Sequence, residues 1–436
     1  MLTRIYLGLV LLVAMPAWSQ VEPSATGPPP SSDEAMQTPP PVSGQSYPTE
    51  TGSEARSNYL RAGLNIQTAF DNNVEREPTG EPIGDVIYSI ASSFALDQST
   101  SRTHRMFSYS PGFTLYEPTS ALNSQAQNAT VGYQYLLSPH TRISVQDSFV
   151  QTSNVFDQPY GGVSGSTLSP TQEVEAPFAE QRSNLASGQL SNQFSRNGMI
   201  GAGGTYSIFD YPNSAQATGL ANSNSYGGSA FYNRRLSSTQ YIGVNYQSSK
   251  MTSSSTSGDS VTQVNTISCF YTLYLEHSLS LSVSSGPQHF DVTEAPLPAS
   301  ASWTPAVTAS MGWQRSRTNL AASYSRTVSG TGGLVGAFQS ESANANASWQ
   351  FARIWTAGST ASYTTQKNVI PVFSLSNQGG HTISGAVSVQ HPISEHFSAG
   401  FGYALFHQRY GVAAVTSDDQ RAYISISYQF TRPLGR

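Results

Sequence analysis

Four acidic residues between positions 155 and 181 are the side chains whose type and spacing could do chemistry in this sequence. They are Asp157, Glu173, Glu175 and Glu180, and a fifth acid, Asp147, precedes them. Grouped carboxylates beside an opening attract cations and repel anions, so these five residues are candidates for the constriction of a pore. Whether they can act in this way depends on the elements that position them.

Enzymatic chemistry is not indicated. The sequence contains no GxSxG, HExxH or Walker motif and no Cys/His spacing for a metal, and its single cysteine, Cys269, excludes an intrachain disulfide. Three histidines, His140, His277 and His396, fall in predicted turns rather than beside candidate nucleophiles. We therefore predict a protein that is not an enzyme, uses no cofactor or metal and binds no nucleic acid.

The first 56 residues divide into two segments. Positions 1–19 combine Arg4, an apolar stretch from Ile5 to Met15 and the small-x-small site Ala17-Trp18-Ser19, which is the pattern of an export signal peptide. Positions 20–56 are rich in Pro, Ser, Thr and Gly and have little to bury, so we predict a disordered periplasmic spacer. Residues 57–436 remain for the folded domain.

The composition favours a membrane protein built from strands. Only 11% of the residues are charged and 11% are aromatic, yet after the signal peptide no stretch has the roughly 18 apolar residues that a membrane helix needs. A chain that spans lipid without such helices must form a closed barrel, because unpaired backbone groups are not tolerated in hydrocarbon.

Alternation along the folded domain predicts the strands. In Thr130 to Leu137, Phe397 to Leu405 and Ala422 to Phe430, apolar residues alternate with polar or small ones. Because a strand sends successive side chains to opposite faces, each segment has one apolar face. About 18 such segments predict an all-β fold, a transmembrane antiparallel up-and-down β-barrel able to hold an aqueous channel. A soluble sandwich or propeller is the alternative.

Aromatic residues mark the expected edges of the membrane. Trp303 and Trp313 share one strand face and lie ten residues apart, which at about 3.3 Å per residue and a tilt near 40° is roughly 25 Å along the membrane normal. That height matches the separation of two aromatic girdles. We assign Trp303, Trp313, Trp355, Tyr363 and Phe430 to these girdles.

The predicted connections alternate in length. The short ones are SPHT (138–141), SRNG (195–198), RRLSST (234–239), RSRT (315–318) and ISEHF (393–397). The long ones include Phe70 to Asp85, Val155 to Gln181 and Phe290 to Ser302. Short periplasmic turns and longer outer loops are typical of outer-membrane barrels, and both termini in the periplasm require an even strand count.

Asp147 disturbs this pattern. In TRISVQDSFVQ it shares a face with the apolar residues Ile143, Val145 and Phe149, which would place a carboxylate against lipid. We favour a β-bulge that shifts the register and removes Asp147 from that face. A functional acid inside the channel is the alternative.

Two segments carry a resemblance to known proteins. AYISISYQF, Ala422 to Phe430, resembles the terminal strand of bacterial outer-membrane barrels, which implies recognition by the barrel assembly machinery, although TRPLGR follows it. Ala62 to Asp97, with Phe70-Asp71-Asn72-Asn73-Val74 and Asp85, resembles the start of the beta-barrel porin 2 family. This resemblance implies a cell outer membrane location, with lipid and lipopolysaccharide as partners. Porins are commonly trimers, so a homo-oligomer stays open.

Three functions are compatible with such a barrel. A porin-like channel for small polar solutes is favoured by uncharged polar residues on the predicted inner face: Gln134, Asn245, Gln247, Asn344, Asn346, Ser425 and Ser427. Val155 to Gln181 resembles, in order and length, the loop that folds into the lumen of general porins. A conduit for exopolysaccharide or another polymer would use lumen aromatics such as Phe270, Tyr274 and Tyr423. A non-conducting structural or adhesive barrel is the third hypothesis.

Overall fold

The computed structural model describes residues 58–75, 82–152, 180–212, 221–255, 258–275, 278–294, 298–330, 337–369, 379–410 and 415–434. Almost all of them lie in 18 strands, which confirms the predicted number. The strands are β1 (Tyr59–Asp71), β2 (Asp85–Ser99), β3 (Thr103–Tyr116), β4 (Ser124–Ser138), β5 (Thr141–Thr152), β6 (Gln181–Ser195), β7 (Gly198–Asp210), β8 (Asn222–Ser237), β9 (Gln240–Ser255), β10 (Gly258–Leu275), β11 (Leu279–Glu294), β12 (Ser300–Arg315), β13 (Thr318–Gly330), β14 (Ala337–Ala352), β15 (Trp355–Asn368), β16 (Gly380–Pro392), β17 (Phe397–Tyr410) and β18 (Val415–Pro433). No helix within these ranges is long and apolar enough to cross a membrane.

The strands form one closed antiparallel barrel. Each strand pairs with its neighbours in the sequence, and β1 also pairs with β18 from Tyr59↔Pro433 to Asp71↔Arg421. Closure of this kind leaves no free sheet edge between the first and the last strand. The predicted up-and-down barrel is confirmed.

The register fixes the dimensions of the barrel. Followed from pair to pair around the ring, it returns to β1 about 22 residues from its start. With about 3.3 Å per residue and about 4.8 Å between strands, this shear tilts the strands by about 40° and gives a backbone radius of about 18 Å. The backbone therefore leaves room for a lumen, and the side chains decide how much of it stays open.

The two faces of the wall have opposite chemistry. On β18, Ile424 and Ile426 point outward and are 66% and 53% exposed, whereas on β1 Asn65 and Gln67 point inward and are buried. Apolar outside and polar inside is the reverse of a water-soluble sandwich, and it is the pattern of a barrel whose outer surface meets lipid. The apolar faces predicted for β4, β17 and β18 all lie outside.

The barrel has two distinct ends. The end that holds Tyr59 and Pro433 carries the short connections and is called the turn end below; the opposite end is the loop end. One predicted loop at the loop end is wrong. Phe290 to Ser302 is mostly strand, because β11 continues to Glu294 and β12 begins at Ser300. The connection between β9 and β10, positions 256–257, is also short, so connection length does not alternate strictly. The inward side chain of Phe290 packs in the lumen and extends the strand.

The predicted bulge at Asp147 is also wrong. β5 pairs with β4 in one unbroken register from Gln127↔Gln151 to Leu136↔Arg142, and its pairing with β6 is equally regular. Asp147 keeps its outward position about midway along β5. Its Oδ1 accepts a hydrogen bond from Asn184 Nδ2 at 3.1 Å, so the outer face satisfies one carboxylate oxygen without a change of register.

Candidate functional site: the barrel lumen

The inner wall is lined mainly by uncharged polar side chains. The seven residues predicted for this face all occupy inward positions: Gln134, Asn245, Gln247, Asn344, Asn346, Ser425 and Ser427. Ser427, for example, bonds to another inward side chain: its Oγ donates to Asn65 Oδ1 at 3.1 Å. Such a surface offers donors and acceptors to water and to polar solutes without attracting ions of one sign.

Aromatic residues of the lumen lie flat against glycines of the neighbouring strand. Phe270 faces Gly243 and Tyr423 faces Gly402 across the strand pairs, and a Cβ added at either glycine would collide with the ring. Both rings are almost fully buried. They cover the gap that a glycine leaves in a sheet, and their burial leaves little ring surface open to the lumen.

A buried ionic row crosses the first, second and last strands at the loop end. Arg421, Asp71 and Asp85 sit side by side on β18, β1 and β2, all pointing inward. Arg421 Nη2 lies 2.9 Å from Asp71 Oδ2, and the Asp85 carboxylate accepts hydrogen bonds from the backbone N–H and the hydroxyl of Thr119. Asp71 thus joins the first strand to the last, whereas Asp85 ties β2 to the segment that follows β3.

The pairing between β12 and β13 ends before the two strands reach the loop end. Their ladder runs from Arg315↔Thr318 to Val307↔Arg326 and stops there, so within the described residues Ser300–Ala306 pairs only with β11, and 327–330 only with β14. Above this point the end of β13 leaves the wall and lies inside it, against the inner faces of β10 and β11.

A glutamine replaces the missing neighbour of β13. Val328 N donates to Gln288 Oε1 at 2.7 Å, and Gln288 Nε2 donates to Val328 O at 3.2 Å. One side-chain amide of β11 therefore satisfies both backbone groups that β12 would otherwise bind. Val328 is 3% exposed and packs in an apolar cluster whose buried members are Val264, Phe290, Val292, Val328 and Ala337.

The exposed part of the inner wall lies on the other side of the ring. In the middle of the strands, exposed inward side chains include Asn128 on β4, Gln146 on β5 and Thr205 on β7. β5 stands half-way round the ring from β14. The water-accessible part of the inner wall therefore lies across the lumen from β14, and its exposed mid-strand side chains Asn128, Gln146 and Thr205 are uncharged.

The predicted acidic candidates have different outcomes. Asp157, Glu173 and Glu175 lie outside the described residues. Glu180 Oε1 accepts hydrogen bonds from Gln151 Nε2 at 2.7 Å and from Arg182 Nη2 at 3.0 Å, and both partners occupy outward strand positions. Asp147 points outward. The structure therefore brings neither Glu180 nor Asp147 to the lumen.

The predicted girdle residues all occupy outward positions. Trp313, Trp355 and Phe430 lie within a few residues of the turn end, whereas Trp303 and Tyr363 lie towards the loop end. Other aromatic rings extend the row near the turn end, including Trp349, Phe351 and Phe397. No group of three or more His, Cys, Asp or Glu side chains in the described ranges is arranged to hold a metal ion.

Comparison with solved structures finds other barrels. OpdK of Pseudomonas aeruginosa with vanillate shares 7% identity over 86% of this chain and 99% of that one, with a TM-score of 0.40. OpdQ of the same organism shares 10% over 87% and 98%, with a TM-score of 0.39. The FrpB iron transporter from Neisseria meningitidis (F3-3 variant) shares 9% over 85% and 81%, with a TM-score of 0.39.

Sequence identities this low do not indicate a shared ligand. No family model and no curated protein matches the sequence. The resemblance to the beta-barrel porin 2 family is therefore not confirmed.

Two features of the lumen escaped the sequence analysis. The displacement of β13 depends on residues far apart in the chain, Gln288 and Val328, although the prolines Pro287 and Pro305 were a visible signal of interrupted pairing. The ionic row was visible only as inward parity of Asp71 and Arg421, whose contact requires the closure of β1 on β18.

Proposed function

We propose that this protein is a porin-like channel of the outer membrane through which small polar solutes pass passively. The observation that carries the proposal is the inner wall, whose exposed mid-strand side chains include the polar, uncharged Asn128, Gln146 and Thr205. A shear that gives a backbone radius of about 18 Å supports it, because barrels of this size hold water.

The membrane location rests on the outer face. Large apolar side chains cover it from β1 to β18, and outward aromatic residues lie near both ends. A signal peptide at 1–19 would export the chain, and the segment 20–56 would form a spacer in the periplasm; both segments lie outside the described residues. In this proposal the turn end faces the periplasm, and lipid, lipopolysaccharide and the barrel assembly machinery are the partners.

The polymer conduit receives less support than the channel. It needs aromatic faces open to the lumen on which sugars can stack. Phe270 and Tyr423 instead lie against glycines and are buried, while Tyr274 packs edge-on against Tyr241 at 5.9 Å. These rings fill space in the wall.

Liposome swelling tests the proposed function. Proteoliposomes containing the folded barrel should swell in iso-osmotic solutions of small uncharged solutes, and the rate should fall as the solute grows. Replacing Gln146 by Trp should slow the larger solutes most, because residue 146 faces the exposed part of the lumen. No swelling with any solute, from protein that is correctly inserted, would contradict a passive channel.

A further inference from the structure

The end of β13 is held inside the barrel by features that the sequence encodes. Pro287 on β11 lies directly opposite Pro305 on β12. Opposed residues of an antiparallel pair either exchange two N–H···O bonds or bond to the strands on their other sides, and proline has no N–H. The backbone of Pro305 must therefore face β13, where it cannot donate to Val328.

The apolar cluster around Val328 shows that the inside position is specific. By strand alternation Val328 and Ala337 would point outward, as Tyr324 does, yet they are buried against the inward side chains of Val264 and Phe290. The outer face of one part of the sheet thus packs on the inner face of another. This contact accounts for the apolar side chains of Val264, Phe290 and Val292 at inward positions of β10 and β11.

We propose that two arms form the size-limiting constriction of the channel: the displaced end of β13, positions 327–330, and the segment of β14 that pairs with it, positions 337–340. The Gln288 amide holds the β13 arm in place. This proposal rests on the proposed channel function. The end of β13 lies inside the ring near the loop end, against β10 and β11, so the arms narrow the lumen at that end. Uncharged polar solutes small enough to pass the arms are the class admitted.

Thiol labelling tests whether Gln288 holds the arms. In a Cys269→Ser background, which removes the exposed thiol on the outer face, Val328→Cys reports on the buried cluster and Thr205→Cys on the exposed wall. A membrane-impermeant maleimide should label residue 328 slowly and residue 205 quickly. Adding Gln288→Leu removes two hydrogen bonds and should speed labelling at residue 328 by about tenfold, with no change at residue 205.

Single-channel recording tests whether the arms limit the passage. Gln288→Leu should raise the conductance or add a larger open level, whereas the matched inward change Gln134→Leu should not. Pro305→Thr restores an N–H on β12, so it should favour pairing of β13 with β12 and widen the channel in the same direction. This second variant keeps the test valid if Gln288→Leu folds poorly.

The two readouts separate the possible failures. Unchanged labelling at residue 328 in both Gln288→Leu and Pro305→Thr would overturn the role of these residues in holding the arms. Faster labelling with unchanged conductance would overturn the constriction. A parent protein that never conducts would overturn the proposed function and the constriction together, while the labelling would still report on the arms.

Discussion

Arg421 of the last strand donates two hydrogen bonds to Oδ2 of Asp71 in the first strand, from Nε at 3.1 Å and from Nη2 at 2.9 Å. The two side chains are only 2% and 1% exposed. Asn73 Nδ2 adds a bond to the carbonyl of Asp418 at 2.8 Å. Together these contacts join the two ends of the chain across the seam at which the barrel closes.

Breaking this ion pair should destabilise the barrel strongly. Arg421→Met leaves the Asp71 carboxylate buried without its cation, beside Asp85, and should lower the free energy of unfolding by about 3–5 kcal/mol. Urea titration of the protein in liposomes measures the change. The double variant Asp71→Leu/Arg421→Met removes both charges and should recover much of the loss. Equal stability of Arg421→Met and the parent would contradict a structural role for the pair.

Replacing Asp147 should have the opposite effect. The carboxylate lies on the outer face midway along β5, with Asn184 as its hydrogen-bond donor. Because an acidic group facing lipid is unfavourable, Asp147→Leu should raise the free energy of unfolding by about 1–2 kcal/mol. The free energy of unfolding of Asp147→Asn should fall between those of the parent protein and Asp147→Leu. A loss of stability, or dissociation of an oligomer, would instead show that a second protein surface covers this site.

The glycines of the wall should differ sharply in their tolerance of a side chain. A Cβ at Gly243 would collide with the Phe270 ring and with the carbonyl oxygen of Tyr232, so Gly243→Ala should cost about 1–3 kcal/mol by overpacking. Gly188 has nothing within 4 Å of the equivalent position. Gly188→Ala is the matched control and should leave the urea midpoint nearly unchanged; equal effects of the two substitutions would refute the packing of Phe270 on Gly243.

The acidic candidates should separate into two groups. If Asp157, Glu173 and Glu175 set the charge preference, their combined replacement by Asn, Gln and Gln should reduce selectivity for cations in reversal-potential measurements. Glu180→Gln should change nothing, because Glu180 is bound by Arg182 and Gln151 at outward positions. An unaltered reversal potential in the triple variant would remove these acids from the account.

Much of the fold could be read from the sequence because a barrel in lipid obeys a local rule. Every second residue of a strand must suit hydrocarbon, so the faces of β4, β17 and β18 and the number of strands follow from alternation alone. The same rule placed Trp303 and Trp313 on the outer face. The rule also implied an outward Asp147, and the expectation of a bulge there was wrong because Asn184, on the next strand, supplies a donor.

The arrangement of the lumen depends on contacts that alternation does not specify. The sequence shows only that Gln288 is an inward polar residue. The structure shows that it binds Val328, on a strand that does not pair with β11. Phe270 and Tyr423 were recognised as inward aromatics, but whether a ring projects or lies flat depends on the glycine opposite, and that requires the register. Local pattern predicts faces, whereas cross-strand pairing decides what a face can bind.

Planar-bilayer recording of the purified, folded protein tests the central claim most directly. A porin-like channel should give discrete conductance steps with weak ion selectivity, because the exposed inner wall is polar and uncharged at Asn128, Gln146 and Thr205. Heat-modifiable migration in gel electrophoresis provides the control for correct folding. The absence of any conductance from protein that is folded and inserted would contradict a channel and would favour a structural barrel.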